Sequence, residues 1–138
     1  MDDENQPVED DEGVYRRIHR MYYQLGLPIP IQPASFRPNE NDTTGISVFR
    51  ERFGEPADTL SSVDVEKRKD YYLARLAVRD LRRLGLSVVP EPDRNGPRGH
   101  AVIPELSCKA YHADKQRMKQ LLLELAKLAS AAIVYSPH

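Results

Sequence analysis

Residues 64–106 constrain the fold most, because this stretch requires a helix and a pair of strands within one short chain. Its first half spaces apolar residues at helical intervals, and Gly85 ends that pattern. Two short runs of strand-forming residues follow, 86–89 (LSVV) and 101–103 (AVI). We therefore predict a long helix followed by an antiparallel hairpin, which places the chain in the α+β class.

The predicted central helix separates apolar from basic side chains. At about 100° per residue, one face carries Leu73, Leu76, Ala77, Leu81 and Leu84. The other face carries Arg75, Arg79, Arg82 and Arg83. An arginine face can bind an acidic protein surface or nucleic acid, whereas a solvated face with local ion pairs explains the same pattern.

A second amphipathic helix is predicted near the N-terminus, over residues 12–25. Its apolar positions are Val14, Ile18, Tyr22 and Leu25. Gly26 supplies a C-terminal stop, and Arg16 and Arg20 lie on the basic side. We count these two arginines with the four of the central helix as candidate partner-binding residues.

The remaining segments complete a single domain over residues 13–138. Four prolines in residues 27–38 indicate an extended strap outside any central strand. Residues 46–50 have the pattern of a strand, and residues 113–129 that of a helix. The expected architecture is a small, mainly antiparallel sheet with about three helices packed largely on one face.

The segment after the last helix is ambiguous between helix and strand. Residues 131–135 (AAIVY) can continue the helix, but we prefer a short strand that pairs with the hairpin. An exposed strand edge at this place is a natural contact between copies of the chain, so a homo-oligomer is possible through the C-terminal segment.

The net charge of −1 conceals an acidic N-terminus and a basic remainder. Residues 1–12 hold seven of the 21 acidic side chains and none of the 20 lysines and arginines. This segment has too little apolar surface to offset its ordering entropy, so we predict a disordered acidic tail. Such a tail provides solubility and spacing, or it competes electrostatically for a basic surface.

Composition excludes several classes of protein. No run approaches the ~20 apolar residues that span a bilayer, and the acidic N-terminus is unlike a secretory signal. The single Cys108 excludes an internal disulfide framework. We therefore expect a cytoplasmic protein without membrane contact.

Asp80 and His100 depart from their local patterns. Asp80 falls on the apolar stripe of the predicted helix, where an unpaired carboxylate would cost several kcal/mol. We expect it to pair with Arg79 or Arg83, or with His100 across the hairpin. His100 follows Gly99 at the mouth of a strand, where it either bonds the adjoining loop or acts as a general acid or base.

Other chemical motifs are incomplete. Cys108 and His112 have the spacing of half a zinc site, and no CxxC or HxxxH pair completes it. A glycine-rich phosphate loop, a GxSxG elbow and an HExxH motif are all missing from the sequence. We therefore expect neither a metal nor a cofactor.

Three functional hypotheses follow. The first is a small non-enzymatic module that binds a protein partner through its arginine faces. The alternative is a metal-independent nuclease or phosphotransfer-type enzyme, with His100 as acid or base, Asp80 orienting it, and Arg98 or Arg50 stabilising phosphate charge. The third is a nonspecific nucleic-acid binder that uses the basic faces.

Overall fold

An antiparallel sheet forms the centre of the structure, a computed structural model that describes residues 3–137. Its strands are β1 Gly13–His19, β2 Ile46–Arg50, β3 Tyr71–Ala77, β4 Val89–Pro90, β5 His100–Ile103 and β6 Ile133–Tyr135. They lie in the order β4-β5-β2-β1-β3-β6, and each neighbouring pair is antiparallel. The chain therefore leaves and re-enters the sheet several times before its last strand.

Helices and turns connect the strands. The α-helices are α1 Val78–Arg83, α2 Cys108–Ala113 and α3 Lys115–Ser130, and short 3₁₀ turns occupy much of the remaining chain. This combination confirms the predicted α+β class. No helix within residues 3–137 is long and apolar enough to cross a membrane.

One face of the sheet carries the main core. Residues opposite each other in paired antiparallel strands point to the same face. On this face the buried residues are Val14, Ile18, Ile46, Val48, Ala74, Leu76, Ala101 and Ile103. They share one apolar cluster with Leu122, Leu125 and Ala129 of α3. Helix α3 therefore packs on this face of the sheet, in line with the prediction that the helices lie largely on one face.

The opposite face of the sheet is also largely covered. Tyr15, Phe49 and Leu73 point to it and are buried. The 3₁₀ turns Glu51–Phe53 and Pro56–Leu60 contact β1 and supply much of this cover. These turns do not extend over the β5 side of this face, and a cleft opens there beside His100.

The predicted N-terminal helix is wrong, because residues 13–19 form β1 in the middle of the sheet. A spacing of four, as between Val14 and Ile18, fits both the helical and the strand period, so it does not distinguish them. Pairing with β2 and β3 decides in favour of the strand. Gly26 has the expected positive φ of 90°, but it follows a turn rather than a helix.

The predicted central helix is wrong over residues 71–77, which form β3; the chain is α-helical over α1 and forms a 3₁₀ helix over Val65–Asp70. Its supposed apolar stripe is divided between the two faces of the sheet: Leu73 lies on one and Leu76 on the other. The glycine stop is confirmed, since Gly85 has a φ of 83° and the Leu86 N–H donates to the Leu81 carbonyl at 2.9 Å.

The hairpin and the last strand are present, with one change in pairing. β4 pairs with β5 through Val89 opposite Val102, as predicted, but Val89 is the one residue of the predicted strand 86–89 that lies in β4. Residues 133–135 form a strand as preferred, but β6 pairs with β3 at the far edge of the sheet and not with the hairpin. Contact between copies through this segment stays a prediction.

The N-terminal segment differs from the predicted disorder over residues 3–12; Met1 and Asp2 lie outside the described residues. Val8 is buried, and Glu12 forms an ion pair with the buried Arg50 at 3.0 Å. Arg50 also donates to the Gln6 carbonyl at 2.7 Å. The ion pair and the hydrogen bonds that the buried Arg50 guanidinium makes with this acidic segment offset the conformational entropy that the segment loses when it is ordered.

Candidate functional site

The structure does not bring His100 and Asp80 together. His100 lies on β5 and Asp80 follows β3, three strands away, which corresponds to roughly 14 Å across the sheet. Asp80 forms an ion pair with Arg83 at 3.5 Å, one of the two local partners predicted for it. Arg98 pairs with Glu4 at 3.6 Å. The predicted catalytic grouping therefore does not form.

His100 instead opens on a cleft of about 410 Å³ between the sheet and the β4–β5 loop. The cleft is lined mainly by basic and polar side chains, namely Arg16, Arg17, Ser47, Ser62, Tyr71, Asp93, Asn95 and His100. Phe49 adds an aromatic surface. This composition suits a charged ligand better than an apolar one.

Arg16 reaches the cleft because β1 and β2 pair only near Tyr15. Beyond that point its Nη1 donates to the Ser47 carbonyl at 2.8 Å, and its Nη2 donates to the Ser35 carbonyl at 2.9 Å. Its buried Nε has no hydrogen-bond partner within residues 3–137. Burial lowers the pKa of Arg16 to about 10, because the charged guanidinium has lost water.

Arg17 lies beside it on the same strand. Its Nε donates to the Thr59 carbonyl at 2.7 Å, and its Nη2 donates to the Ser62 hydroxyl at 3.0 Å. The guanidinium carbon lies 4.6 Å from the centroid of the Phe49 ring. Burial lowers the pKa of Arg17 as well. Neither guanidinium pairs with a carboxylate in the described part of the chain.

A hydrogen bond joins Ser47 and His100 in the same cleft. The His100 Nε2 lies 2.9 Å from the Ser47 Oγ, and the His100 Nδ1 lies 2.6 Å from the Glu91 carbonyl oxygen. A carbonyl oxygen only accepts, so Nδ1 must carry the proton that it donates. In the neutral form of the imidazole, Nε2 then carries the lone pair that can accept the Ser47 hydroxyl proton.

The predicted partner-binding arginines do not form one face. Ion pairs within the chain occupy four of them: Arg20 with Asp70, Arg75 with Glu51, Arg82 with Asp10, and Arg83 with Asp80. Arg16 lies in the cleft, and Arg79 is exposed on α1. Arginines that already pair with local carboxylates contribute less charge to a partner surface.

The pairing of Glu51 with Arg75 predicts a pH dependence of stability. Two hydrogen bonds of 2.7 Å from Arg75 lower the pKa of Glu51 below its ordinary 4.5. At pH values near and below 4.5 the unfolded chain therefore binds more protons than the folded chain. The stability that the pair contributes is lost as the pH falls from 4.5 through the lowered pKa of folded Glu51. We expect Glu51→Gln to lower the free energy of unfolding by about 0.5–1 kcal/mol at neutral pH. The variant should also lose less stability than the wild type as the pH is lowered; urea unfolding at several pH values measures both effects.

The control for this prediction is Glu124→Gln, which changes the exposed pair between Glu124 and Lys127 on α3. It should leave the slope of stability against pH close to that of the wild type. Identical slopes for the wild type and Glu51→Gln would contradict the prediction.

Cys108 and His112 line a separate concavity together with Tyr22, Arg37 and Glu40. No group of three or more His, Cys, Asp or Glu side chains within residues 3–137 is placed to hold a metal ion. Cys108 and His112 alone supply half of the ligands that a zinc site needs, and the absence of a bound metal stays a prediction.

The fold and the cleft together define an α+β domain with a cationic cleft beside a serine–histidine hydrogen bond. Comparisons with protein-family models, with curated proteins and with solved structures found no match. The function must therefore be argued from the side chains of the cleft.

Proposed function

We propose that this protein binds a phosphate-bearing small molecule in the cleft that Arg16 and Arg17 line. The observation that carries the proposal is the pair of half-buried guanidiniums without a carboxylate partner in the described residues. Removing a cation from water costs free energy unless an anion and hydrogen bonds replace the water. A bound anion would supply that compensation for both side chains.

Phosphate fits the donors that remain. The Arg17 Nη1 takes no part in the hydrogen bonds described above, so it is the guanidinium donor left for a ligand. Guanidinium groups match the spacing of phosphate oxygens, and the hydroxyls of Ser62 and Tyr71 line the same cleft. A volume of about 410 Å³ is in the range that small-molecule ligands occupy.

Asp93 carries the one carboxylate among the described residues that line the cleft, and it does not oppose this proposal. The Asp93 Oδ1 accepts a hydrogen bond of 3.0 Å from the backbone N–H of Asn95, within its own loop. With two guanidiniums against one carboxylate, the lining keeps a positive surplus. An anion is therefore attracted to the cleft.

Calorimetric titration with inorganic phosphate and with phenylphosphonate, which has a non-hydrolysable P–C bond, tests the proposal. We expect both to bind, and acetate at equal concentration to bind more weakly. Arg17→Gln should weaken phosphate binding by about 10- to 100-fold, because a hydrogen bond to a charged group contributes about 1.5–3 kcal/mol.

The matched control is Arg79→Gln, which removes the same charge from an exposed position outside the cleft. Its phosphate affinity should stay within about twofold of the wild type, since exposed charges at a distance are screened by salt. Absence of phosphate binding in the wild type, or equal losses in both variants, would overturn the proposal.

The protein-interaction module stays a second candidate because of one exposed apolar loop. Met21, Leu25 and Leu27 are 70%, 85% and 42% exposed, and Arg20 adjoins them. Apolar side chains gathered on one loop are typical of a contact surface. Affinity capture from the native cells with nuclease treatment, repeated with Leu25→Asp, would test it and would also test nucleic-acid binding. The predicted cytoplasmic location belongs to both candidates.

A further inference from the structure

We propose that Ser47 is a nucleophile activated by His100, and that the cleft hydrolyses phosphate esters. The inference rests on the proposed phosphate-binding function, because the same cleft must hold the phosphoryl group. A nucleophile, a base within hydrogen-bond distance and a third group that orients the base form the arrangement that nucleophilic catalysis requires. All three lie together here, in Ser47, His100 and the Glu91 carbonyl.

The geometry places each group in its role. The Ser47 Oγ is 2.9 Å from His100 Nε2, within reach for proton transfer. The Glu91 carbonyl accepts from Nδ1 at 2.6 Å, which leaves Nε2 free to take a proton. The backbone N–H of Glu91 also donates to the His100 carbonyl at 2.9 Å, so the orienting group is tied to the same residue.

The sheet holds Ser47 rigidly on the cleft side. Phe49 lies opposite His100, and Ser47 lies opposite Val102, so Ser47 and His100 are diagonal neighbours on one sheet face. Ile46 and Val48, on either side of Ser47, are fully buried against the opposite face. Turning this part of β2 so that Ser47 faced away from the cleft would expose Ile46 and Val48, so the strand keeps the Ser47 Cβ on the cleft side.

The charges of the cleft suit phosphoryl transfer. Arg16 donates to the Ser47 carbonyl at 2.8 Å, so a guanidinium is fixed beside the nucleophile. Arg17 lines the same cleft, and its guanidinium is held against the Phe49 ring. Guanidiniums at such positions stabilise the charge that is spread over the phosphoryl oxygens in the transition state.

The reaction proceeds in two balanced steps. The Ser47 Oγ attacks phosphorus as its proton passes to His100 Nε2; the bond to the leaving oxygen breaks, and that oxygen takes the proton from Nε2. Water then attacks the phosphoserine, giving one proton to Nε2, and the bond between phosphorus and Oγ breaks. Ser47 recovers its proton from Nε2. A monoester therefore yields phosphate and an alcohol, and a diester yields a phosphate monoester and an alcohol.

Turnover of 4-nitrophenyl phosphate, a monoester, and of bis(4-nitrophenyl) phosphate, a diester, tests the inference. We expect the wild-type protein to release 4-nitrophenolate from one or both, and Ser47→Ala to fall to the background rate. His100→Gln should lower kcat by about 10²- to 10⁴-fold, the usual effect of a general base. Acid quenching and mass spectrometry should detect a phosphoryl group on Ser47 only in chains that retain the hydroxyl.

Matched controls separate this chemistry from folding. Ser136→Ala and His112→Gln change exposed residues outside the cleft and should keep wild-type turnover. Thermal unfolding and phosphate titration of Ser47→Ala should show a folded chain that still binds phosphate. A hydrogen bond with only a structural role would alter the unfolding temperature and leave no phosphoserine.

The outcomes distinguish the two proposals. This inference would be overturned if Ser47→Ala kept its turnover. It would also be overturned if the wild-type protein bound phosphate but neither turned over an ester nor formed phosphoserine. Either result would leave the binding function in place. A wild-type protein that neither binds phosphate nor turns over either ester would overturn both.

Discussion

Replacing Glu12 by alanine is expected to lower the free energy of unfolding by about 3–5 kcal/mol, which is the usual cost of removing one partner of a buried ion pair. Arg50 is 1% exposed and Glu12 is 8% exposed. The two side chains share hydrogen bonds of 3.1 Å and 3.0 Å. Without the carboxylate, the guanidinium stays buried and keeps only backbone carbonyls as acceptors. Denaturant unfolding followed by circular dichroism measures the loss.

Two further variants test this explanation. Asp80→Ala breaks an ion pair whose side chains are 38% and 72% exposed, and it should cost about 1 kcal/mol or less. The double variant Glu12→Leu with Arg50→Met replaces the buried pair by apolar side chains of similar size and should recover much of the loss. If Glu12→Ala is as mild as Asp80→Ala, the N-terminal segment does not depend on the buried pair.

Gly45→Ala is expected to destabilise the protein by roughly 3 kcal/mol or more, because two costs add at this position. Gly45 has a φ of 137°, a conformation that residues with a side chain rarely adopt. A Cβ here would also lie 2.3 Å from the Ile103 carbonyl oxygen, in the backbone of the neighbouring β5. A backbone atom cannot move aside without disturbing the strand pair. Thermal and denaturant unfolding would measure the effect.

Gly26→Ala provides the matched control. Gly26 also has a positive φ, of 90°, but within residues 3–137 no atom beyond its two chain neighbours lies within 4 Å of the place that a Cβ would take. We expect this substitution to cost only about 1 kcal/mol, from backbone strain alone. Equal losses in the free energy of unfolding for Gly45→Ala and Gly26→Ala would show that the contact with β5 contributes nothing to the effect at Gly45.

The local elements with strong boundary signals were predictable from sequence. Residues 46–50 were predicted as a strand and form β2, and residues 113–129 correspond closely to α3. Gly85 was predicted to end a helix and does so with a positive φ. In each case the pattern depends on residues that are near in sequence, so the local conformation follows from local chemistry.

Prediction failed where one apolar pattern fits two structures. Val14 and Ile18 are four residues apart, and Leu73 and Leu76 are three apart, so helical spacing describes both pairs. In the structure these residues belong to β1 and β3, which pair with each other along their full length in the middle of the sheet. Central strands are buried on both faces, and their sequences lose the alternation that identifies a strand.

The candidate site was only partly visible in the sequence. His100 was singled out, but its partner Ser47 is 53 residues away and lies in a strand without any catalytic motif. The sequence pattern places both Arg16 and Arg17 on the basic side of a predicted helix. In the structure Arg17 lies on the cleft face of the sheet, whereas Arg16 lies on the core face by register and borders the cleft where the pairing of β1 with β2 ends after two residue pairs. No signal near these residues in the sequence reveals that β1 and β2 separate at this point.

The sequence by itself determined the α+β class, the stop at Gly85, the β4–β5 hairpin and the strand-forming character of residues 46–50, because these depend on backbone preferences and on short-range periodicity. Only the tertiary structure decided which strands are neighbours, that Arg50 and Glu12 hold residues 3–12 against the domain, and that Arg16, Arg17, Ser47 and His100 share one cleft. The physical reason is that burial and charge compensation act between residues brought together from distant parts of the chain. A strand that is apolar on both faces pairs wherever its apolar surface and its backbone hydrogen bonds are satisfied together.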